Sequence, residues 1–124
     1  MKIAVTSTGP ELSSASDPRF GRCAYFIVVD TDSMDFTAHS NESRAASGGA
    51  GIQAGQFVSS LGVSTVVTGA VGPNAARVLS AAGLKVYVGA SGTVQEAVDA
   101  FKAGSLTAAA SATVGAHSGM RGNR

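Results

Sequence analysis

The apolar positions in the first third of the chain follow the spacing of β-strands. The segment Lys2–Thr8 alternates β-branched and small residues and breaks at a Gly-Pro pair. Ala24–Asp30 is a continuous apolar run of strand length, which is typical of a strand covered on both faces. A polar turn separates it from Met34–Ser40, whose alternation suits the second arm of a hairpin at a sheet edge. The chain therefore begins with antiparallel strands.

The rest of the chain alternates helices and strands. Apolar residues recur at helical spacing from Ile52 to Leu61, and Pro73–Gly83 opens with a helix-compatible proline and ends at glycine. Thr93–Gly104 begins with a capping box, because Glu96 follows the N-cap threonine by three residues. Two apolar runs of strand length separate these helices: Val63–Gly69 and Leu84–Gly89. This order predicts an α/β fold with a mixed five-stranded sheet, antiparallel in its first half and parallel in its second.

Length and composition predict one folded domain. The chain has 124 residues, of which 44% are hydrophobic and 14% charged, enough apolar surface for a single core. Residues 1–104 are assigned to this domain. Residues 105–124 contain many small residues and no acid, and they are expected to form a flexible tail, with a short helix over Leu106–Ala112 as the alternative.

Charge, hydropathy and cysteine count exclude several classes of function. The net charge is +1 and the basic residues form no stripe, so nucleic acid is not an expected partner. The longest apolar run, Ala24–Val29, is far shorter than a membrane helix, and the N-terminus turns polar too soon for a signal peptide. A soluble, cytoplasmic protein is therefore expected. A single cysteine excludes an iron–sulfur site with four thiolates from one chain.

Two glycine-rich loops are candidate anion sites. Three glycines in Ser47–Gly55 imitate a dinucleotide fingerprint, in which helix N–H groups approach an anion. No acid occurs between Glu42 and Glu96, however, so the residue that would bind a ribose is missing. The second loop, Thr68–Ala76, follows a strand where ligands bind in parallel sheets. The alternatives are a glycine hinge in the first loop and a tight connection in the second.

The only cysteine, Cys23, follows Arg22 and lies near Arg19 in the sequence. A neighbouring guanidinium favours the thiolate and would lower its pKa, which suits metal ligation or nucleophilic attack. The alternative is a buried, inert cysteine at the start of a strand. A thiol enzyme would also need a histidine, and only His39 and His117 are present.

Three motifs together carry a family resemblance. They are the segments 17–30, 48–58 and 69–98, with the ordered series Phe-Gly-Arg, Gly-Gly-Ala-Gly-Ile-Gln and Gly-Pro-Asn-Ala. The chain resembles the dinitrogenase iron-molybdenum cofactor biosynthesis family, which includes NifX, NafY and the C-terminal domain of NifB, as a small free-standing member. The resemblance covers residues 1–104 and implies a ribonuclease-H-like, three-layer fold.

The resemblance implies non-enzymatic binding or delivery of a preformed metal cluster. The cargo would be an iron–sulfur cluster, a molybdenum–iron–sulfur cluster or a molybdenum–copper sulfide, bound transiently and not covalently. Partners would be cluster donor or acceptor proteins, and a homodimer is left open. Nitrogenase members commonly show His-Phe-Gly where this chain has Arg19-Phe20-Gly21. Cys23 could replace that histidine as a metal ligand, or the arginine pair could hold an anionic cluster without a protein–metal bond.

The predicted site combines the resemblance with the two loops. Its cofactor-binding residues are Arg19, Phe20, Gly21, Arg22, Cys23, Gly48, Gly49, Gly51, Gln53, Gly69, Gly72 and Asn74. Cys23 is the one expected metal ligand, and no catalytic residue is expected. The alternative function is a regulatory module that binds a small anion or a nucleotide at the glycine-rich helix N-termini.

Overall fold

The computed structural model describes residues 1–45 and 48–109, which form one mixed sheet with helices on both faces. The strands are β1 (Lys2–Ser7), β2 (Tyr25–Asp30), β3 (Phe36–Ser40), β4 (Thr65–Val67), β5 (Lys85–Val88) and β6 (Thr107–Ala108). The helices are α1 (Ala50–Ser59), α2 (Pro73–Ala81) and α3 (Val94–Lys102). The strand order is β3-β2-β1-β4-β5-β6. The predicted α/β class with a mixed sheet is confirmed.

The central strand β1 joins the two halves of the sheet. It pairs antiparallel with β2, which pairs antiparallel with β3, and it pairs parallel with β4 on its other side. β4 and β5 are also parallel. Because parallel strands end at the same edge, the loops that follow β1 and β4 come together at the carboxyl ends of these strands.

The described part of the sheet has six strands, so the prediction of five is wrong. β6 pairs antiparallel with β5, with Ala108 opposite Tyr87 and Thr107 opposite Val88. A strand of two residues has too few positions to show a periodic pattern, and its pairing with β5 is a long-range contact. β6 lies in the segment expected to be a tail and inside the alternative helix Leu106–Ala112. Residues 110–124, with His117, lie outside the described residues.

Alternating residues of the strands face two separate cores, which makes the fold three-layered. On one face, Ala4 of β1 and Phe26 of β2 pack with α1 and α2. On the other face, Ile3 and Val5 of β1 pack with Val94, Ala97 and Val98 of α3. Helices α1 and α2 also pack closely against each other, since a Cβ at Gly55 would lie 3.0 Å from the Val78 side chain.

Candidate functional site

A cavity of about 350 Å³ opens where the loop after β1 meets the N-termini of α1 and α2. Three chain segments line it: residues 18–22, the start of α1, and the connection from β4 into α2. The lining residues are Pro18, Arg19, Phe20, Gly21, Arg22, Gly49, Ala50, Gly51, Ala70, Gly72, Pro73, Asn74 and Ala75. Residues 18–22, which we call the arginine loop, are distant in sequence from the two glycine-rich loops. All three therefore meet at one site.

Small residues allow the three segments to approach closely. The Ala70 N–H donates to the Pro18 carbonyl at 2.8 Å, and a Cβ at Gly69 would lie only 2.5 Å from the Pro18 Cα. A Cβ at Gly21 would lie 3.2 Å from the Cα of Gly51. Both positions therefore require glycine, because the backbones of neighbouring segments pack against them. Gly21 lies in the cavity lining, and Gly69 lies outside it.

The N-termini of α1 and α2 carry no side-chain cap. The N-cap of α1 is Gly49, whose φ of 74° is in the left-handed region, and the N-cap of α2 is Gly72. Neither helix has an acidic residue in its first turn. Among the residues that the structure describes, the N–H groups of Ala50 and Gly51 have no hydrogen-bond partner. Unpaired N–H groups and the positive ends of two helix dipoles attract an anion.

Arg19 lines the cavity while it is paired with a buried carboxylate. Its Nε donates to Oδ1 of Asp17 at 3.2 Å, and its Nη2 donates to Oδ2 at 3.3 Å. The hydrogen bond with Asp17 raises the pKa of Arg19 above its ordinary value. Asp17 was not among the predicted site residues, because an acid in a polar loop gives no local sign that it will be buried.

The loop that carries Arg22 is held by a second buried polar residue. Nη1 of Arg22 donates to the Arg44 carbonyl at 2.7 Å. Asn41, which is 2% exposed, donates from Nδ2 to the carbonyls of Gly21 at 3.1 Å and Cys23 at 2.9 Å. Asn41 was also missed, since its role depends on contacts 18 and 20 residues away in the chain.

Cys23 lies in the core beneath the cavity and does not line it. The side chain is fully buried, and Sγ donates to the Phe20 carbonyl at 3.3 Å. Burial, followed by the charge of Asp17, raises the pKa of Cys23 to about 12. The arginines therefore do not lower this pKa, and the burial agrees with the alternative of a buried, inert cysteine. The thiol is protonated near neutral pH, and in this conformation it presents no metal ligand to the cavity.

Eight of the twelve predicted site residues line the cavity: Arg19, Phe20, Gly21, Arg22, Gly49, Gly51, Gly72 and Asn74. Phe20 is only 2% exposed, so its ring belongs mainly to the core. Asn74 accepts a 2.6 Å hydrogen bond from Arg77 at Oδ1, and its amide hydrogens have no partner among the described residues. Four predicted residues are not part of the lining: Cys23, Gly48, Gln53 and Gly69.

The described residues contain neither a cluster of metal-binding side chains nor a helix that could span a membrane. Residues 1–45 and 48–109 hold no group of three or more His, Cys, Asp or Glu side chains that could bind a metal ion. His39 lies on β3, where its ring contacts Phe57 edge-on at 6.1 Å, and it does not line the cavity. Over the same residues, no helix has both the length and the apolar character that crossing a bilayer needs.

The fold is that of a small α/β protein with a cavity at the carboxyl ends of its central parallel strands. The model of the family described as "dinitrogenase iron-molybdenum cofactor" matches residues 1–104, and the chain belongs to this family. The family prediction made from the three motifs is confirmed.

Solved structures of related proteins share this fold. The apo form of the orange protein from Desulfovibrio gigas is 44% identical, with a TM-score of 0.86 and coverage of 90% of this chain and 94% of that one. A NifB-like protein from Thermotoga is 42% identical, with a TM-score of 0.76 and coverage of 86% and 91%. By sequence alone, an uncharacterized protein of Methanocaldococcus jannaschii is 28% identical over 109 residues, which are 86% of this chain and 89% of the relative.

Proposed function

We propose that the protein binds a preformed, anionic metal–sulfide cluster in this cavity and releases it to an acceptor protein, without catalysing a reaction. One observation carries the proposal: two uncapped helix N-termini and two arginines converge on a cavity to whose lining the described residues contribute no carboxylate. Membership of a nitrogenase-cofactor family, and similarity to the orange protein, support cluster-related binding.

The donor set of the cavity suits a cluster that carries its own sulfide ligands. Peptide N–H groups and guanidinium groups donate hydrogen bonds to an anion, and neither forms a bond to a metal. Cys23 is buried below the cavity, so the cargo would be held without a protein–metal bond. Such a cluster can leave without ligand exchange, which is what delivery from a donor protein to an acceptor requires.

Anaerobic titration tests this proposal. Tetrathiomolybdate, alone and with Cu(I), and Fe²⁺ with sulfide would each be added to the purified protein, followed by gel filtration. We expect charge-transfer absorption and metal to co-elute with the protein for at least one of these mixtures. Arg22→Gln should weaken binding about tenfold, or by about 1.4 kcal/mol, because it removes a cation from the lining. Lys85→Gln is the matched control, since Lys85 begins β5 at the opposite end of the sheet.

The outcomes separate this function from its alternative. A protein that remains colourless and metal-free with every mixture would contradict cluster binding. A regulatory module would instead be stabilised by inorganic phosphate or by a nucleotide, and thermal unfolding with these ligands measures that effect, which is about 2.7 kcal/mol at 100 times the Kd. Stabilisation by a nucleotide without any binding of thiomolybdate would favour the alternative.

A further inference from the structure

A buried carboxylate lies directly behind the positive wall of the cavity. The Asp17 side chain is 5% exposed, whereas the Arg19 side chain that it binds is 66% exposed and lines the cavity. Both carboxylate oxygens accept hydrogen bonds from the guanidinium, at 3.2 and 3.3 Å. The lining therefore contains two arginines, but the charge of one of them is already matched by a fixed acid.

We propose that Asp17 is a counter-charge that lowers the affinity of the cavity for its anion and thereby permits release. This inference rests on the proposed function and concerns the same site. Nε and Nη2 of Arg19 contact Asp17, while Nη1 has no hydrogen-bond partner among the residues that the structure describes. Arg19 can thus still donate a hydrogen bond toward a bound anion while the Asp17–Arg19 pair adds no net charge.

The carboxylate is held in place, so it cannot leave when an anion arrives. The Asp17 N–H donates to the Thr6 carbonyl at 2.9 Å, and the Asp17 carbonyl accepts from the Thr6 hydroxyl at 2.6 Å. Its Oδ1 also accepts from the Arg19 backbone N–H at 2.9 Å. A bound cluster and Asp17 would therefore lie on two sides of one guanidinium, and their repulsion raises the free energy of the loaded state.

Two opposite effects are expected when this charge is removed. Asp17→Asn keeps an oxygen that can accept the Arg19 N–H bonds, although the guanidinium is held less firmly. It also unmasks one positive charge at the wall of a cavity that would hold a multiply charged anion. The unmasked positive charge attracts every negative charge on the anion, whereas the weaker restraint affects only the Arg19 side chain. We therefore expect the gain in affinity from the charge to exceed the loss from the weaker restraint.

The test is an anaerobic titration of tetrathiomolybdate into the 124-residue protein and into two variants with the same change in net charge. Asp17→Asn should bind about tenfold more tightly, which corresponds to about 1.4 kcal/mol, and dissociation in stopped flow should slow accordingly. Asp32→Asn is the matched control, because Asp32 is 88% exposed in the turn after β2, at the opposite end of the sheet. Its affinity should stay within twofold of wild type.

The outcomes distinguish this inference from the function on which it rests. Wild-type binding together with equal or weaker binding by Asp17→Asn would overturn the counter-charge and leave the cargo site standing. No binding by any variant would overturn both. If Asp17→Asn does not fold, Asp17→Ser replaces it, since its hydroxyl can also accept a backbone N–H bond in this loop. The same increase in affinity is then expected.

Discussion

The N-terminus of α3 differs from those of α1 and α2 in how its N–H groups are satisfied. Thr93 accepts from the Glu96 N–H at 3.1 Å, and the Glu96 carboxylate accepts from the Thr93 N–H at 2.9 Å. At the cavity, Gly49 and Gly72 offer no side chain for such a bond. The comparison shows that this chain can cap a helix, and that the two helices without a cap are those that meet at the cavity.

The largest loss of stability is expected from breaking the close approach between the connection that precedes α2 and the arginine loop. In Gly69→Ala, the new Cβ would overlap the backbone of Pro18, which cannot rotate away. We expect a loss of about 3 kcal/mol in the free energy of unfolding, measured by denaturant titration. Gly48→Ala is the control, because nothing lies within 4 Å of its Cβ position. Equal stability of the two variants would contradict the account of this contact.

The pH dependence of unfolding tests whether the Cys23 thiol is shielded below the cavity. A shielded thiol leaves only N–H groups to bind an anion there. The pKa of Cys23 is raised from 9.0 to about 12 in the folded protein, so the thiol ionises first in the unfolded chain. Its contribution to stability is complete below about pH 9 and is lost as the pH rises toward 12, by about 1.4 kcal/mol per pH unit. Unfolding measured from pH 8 to 11 should show this loss in wild type but not in Cys23→Ala. Parallel curves would mean that the thiol is accessible and ionises in the folded protein.

An acidic residue at an uncapped helix N-terminus should increase the stability of the protein and weaken anion binding. Asn74 is the second residue of α2, so Asn74→Asp should stabilise the helix by about 0.5 kcal/mol through the helix dipole. The same carboxylate faces the cavity and should weaken tetrathiomolybdate binding about tenfold, or about 1.4 kcal/mol. Gln95→Glu makes the same change at the second residue of α3 and should leave the affinity unchanged. An equal loss in both variants would point to net charge and not to the cavity.

Removal of the existing cap on α3 should cost less stability than the loss of the Gly69 contact. Thr93→Ala deletes the side chain that accepts the Glu96 N–H, which should cost about 1 kcal/mol of unfolding free energy. Thermal or denaturant unfolding measures it, and Ser91→Ala is the control, because Ser91 is exposed just before α3 and its hydroxyl has no hydrogen bond among the described residues. Anion affinity should not change, because α3 packs on the other face of the sheet. A change in affinity would show that the three helix N-termini are coupled.

The sequence predicted most of the fold because local periodicity determines most of its elements. The strand predicted at Ala24–Asp30 is observed as Tyr25–Asp30, and the capping box at Thr93 is present with both of its hydrogen bonds. β6 could not be predicted, because its two residues are assigned as a strand only through their pairing with β5.

The candidate site was predicted less completely, because its supporting residues act through long-range contacts. Gly49, Gly51 and Gly72 could be identified since helix N-termini follow from local patterns. The raised pKa of Cys23 could not be predicted, because an arginine that is adjacent in sequence gives no information about whether the thiol is buried. The partners of Asn41 and the buried position of Asp17 likewise depend on how the loop folds back over the sheet.

The position of β1 between antiparallel and parallel neighbours has a consequence for the order of assembly. The hairpin half of the chain supplies the arginine loop, and the helical half supplies both uncapped N-termini. Neither half contains the cavity alone, so a partly folded chain lacks the complete site. On the proposed function, loading would therefore require completed folding, and a cluster added to a mixture of chains would select the folded molecules.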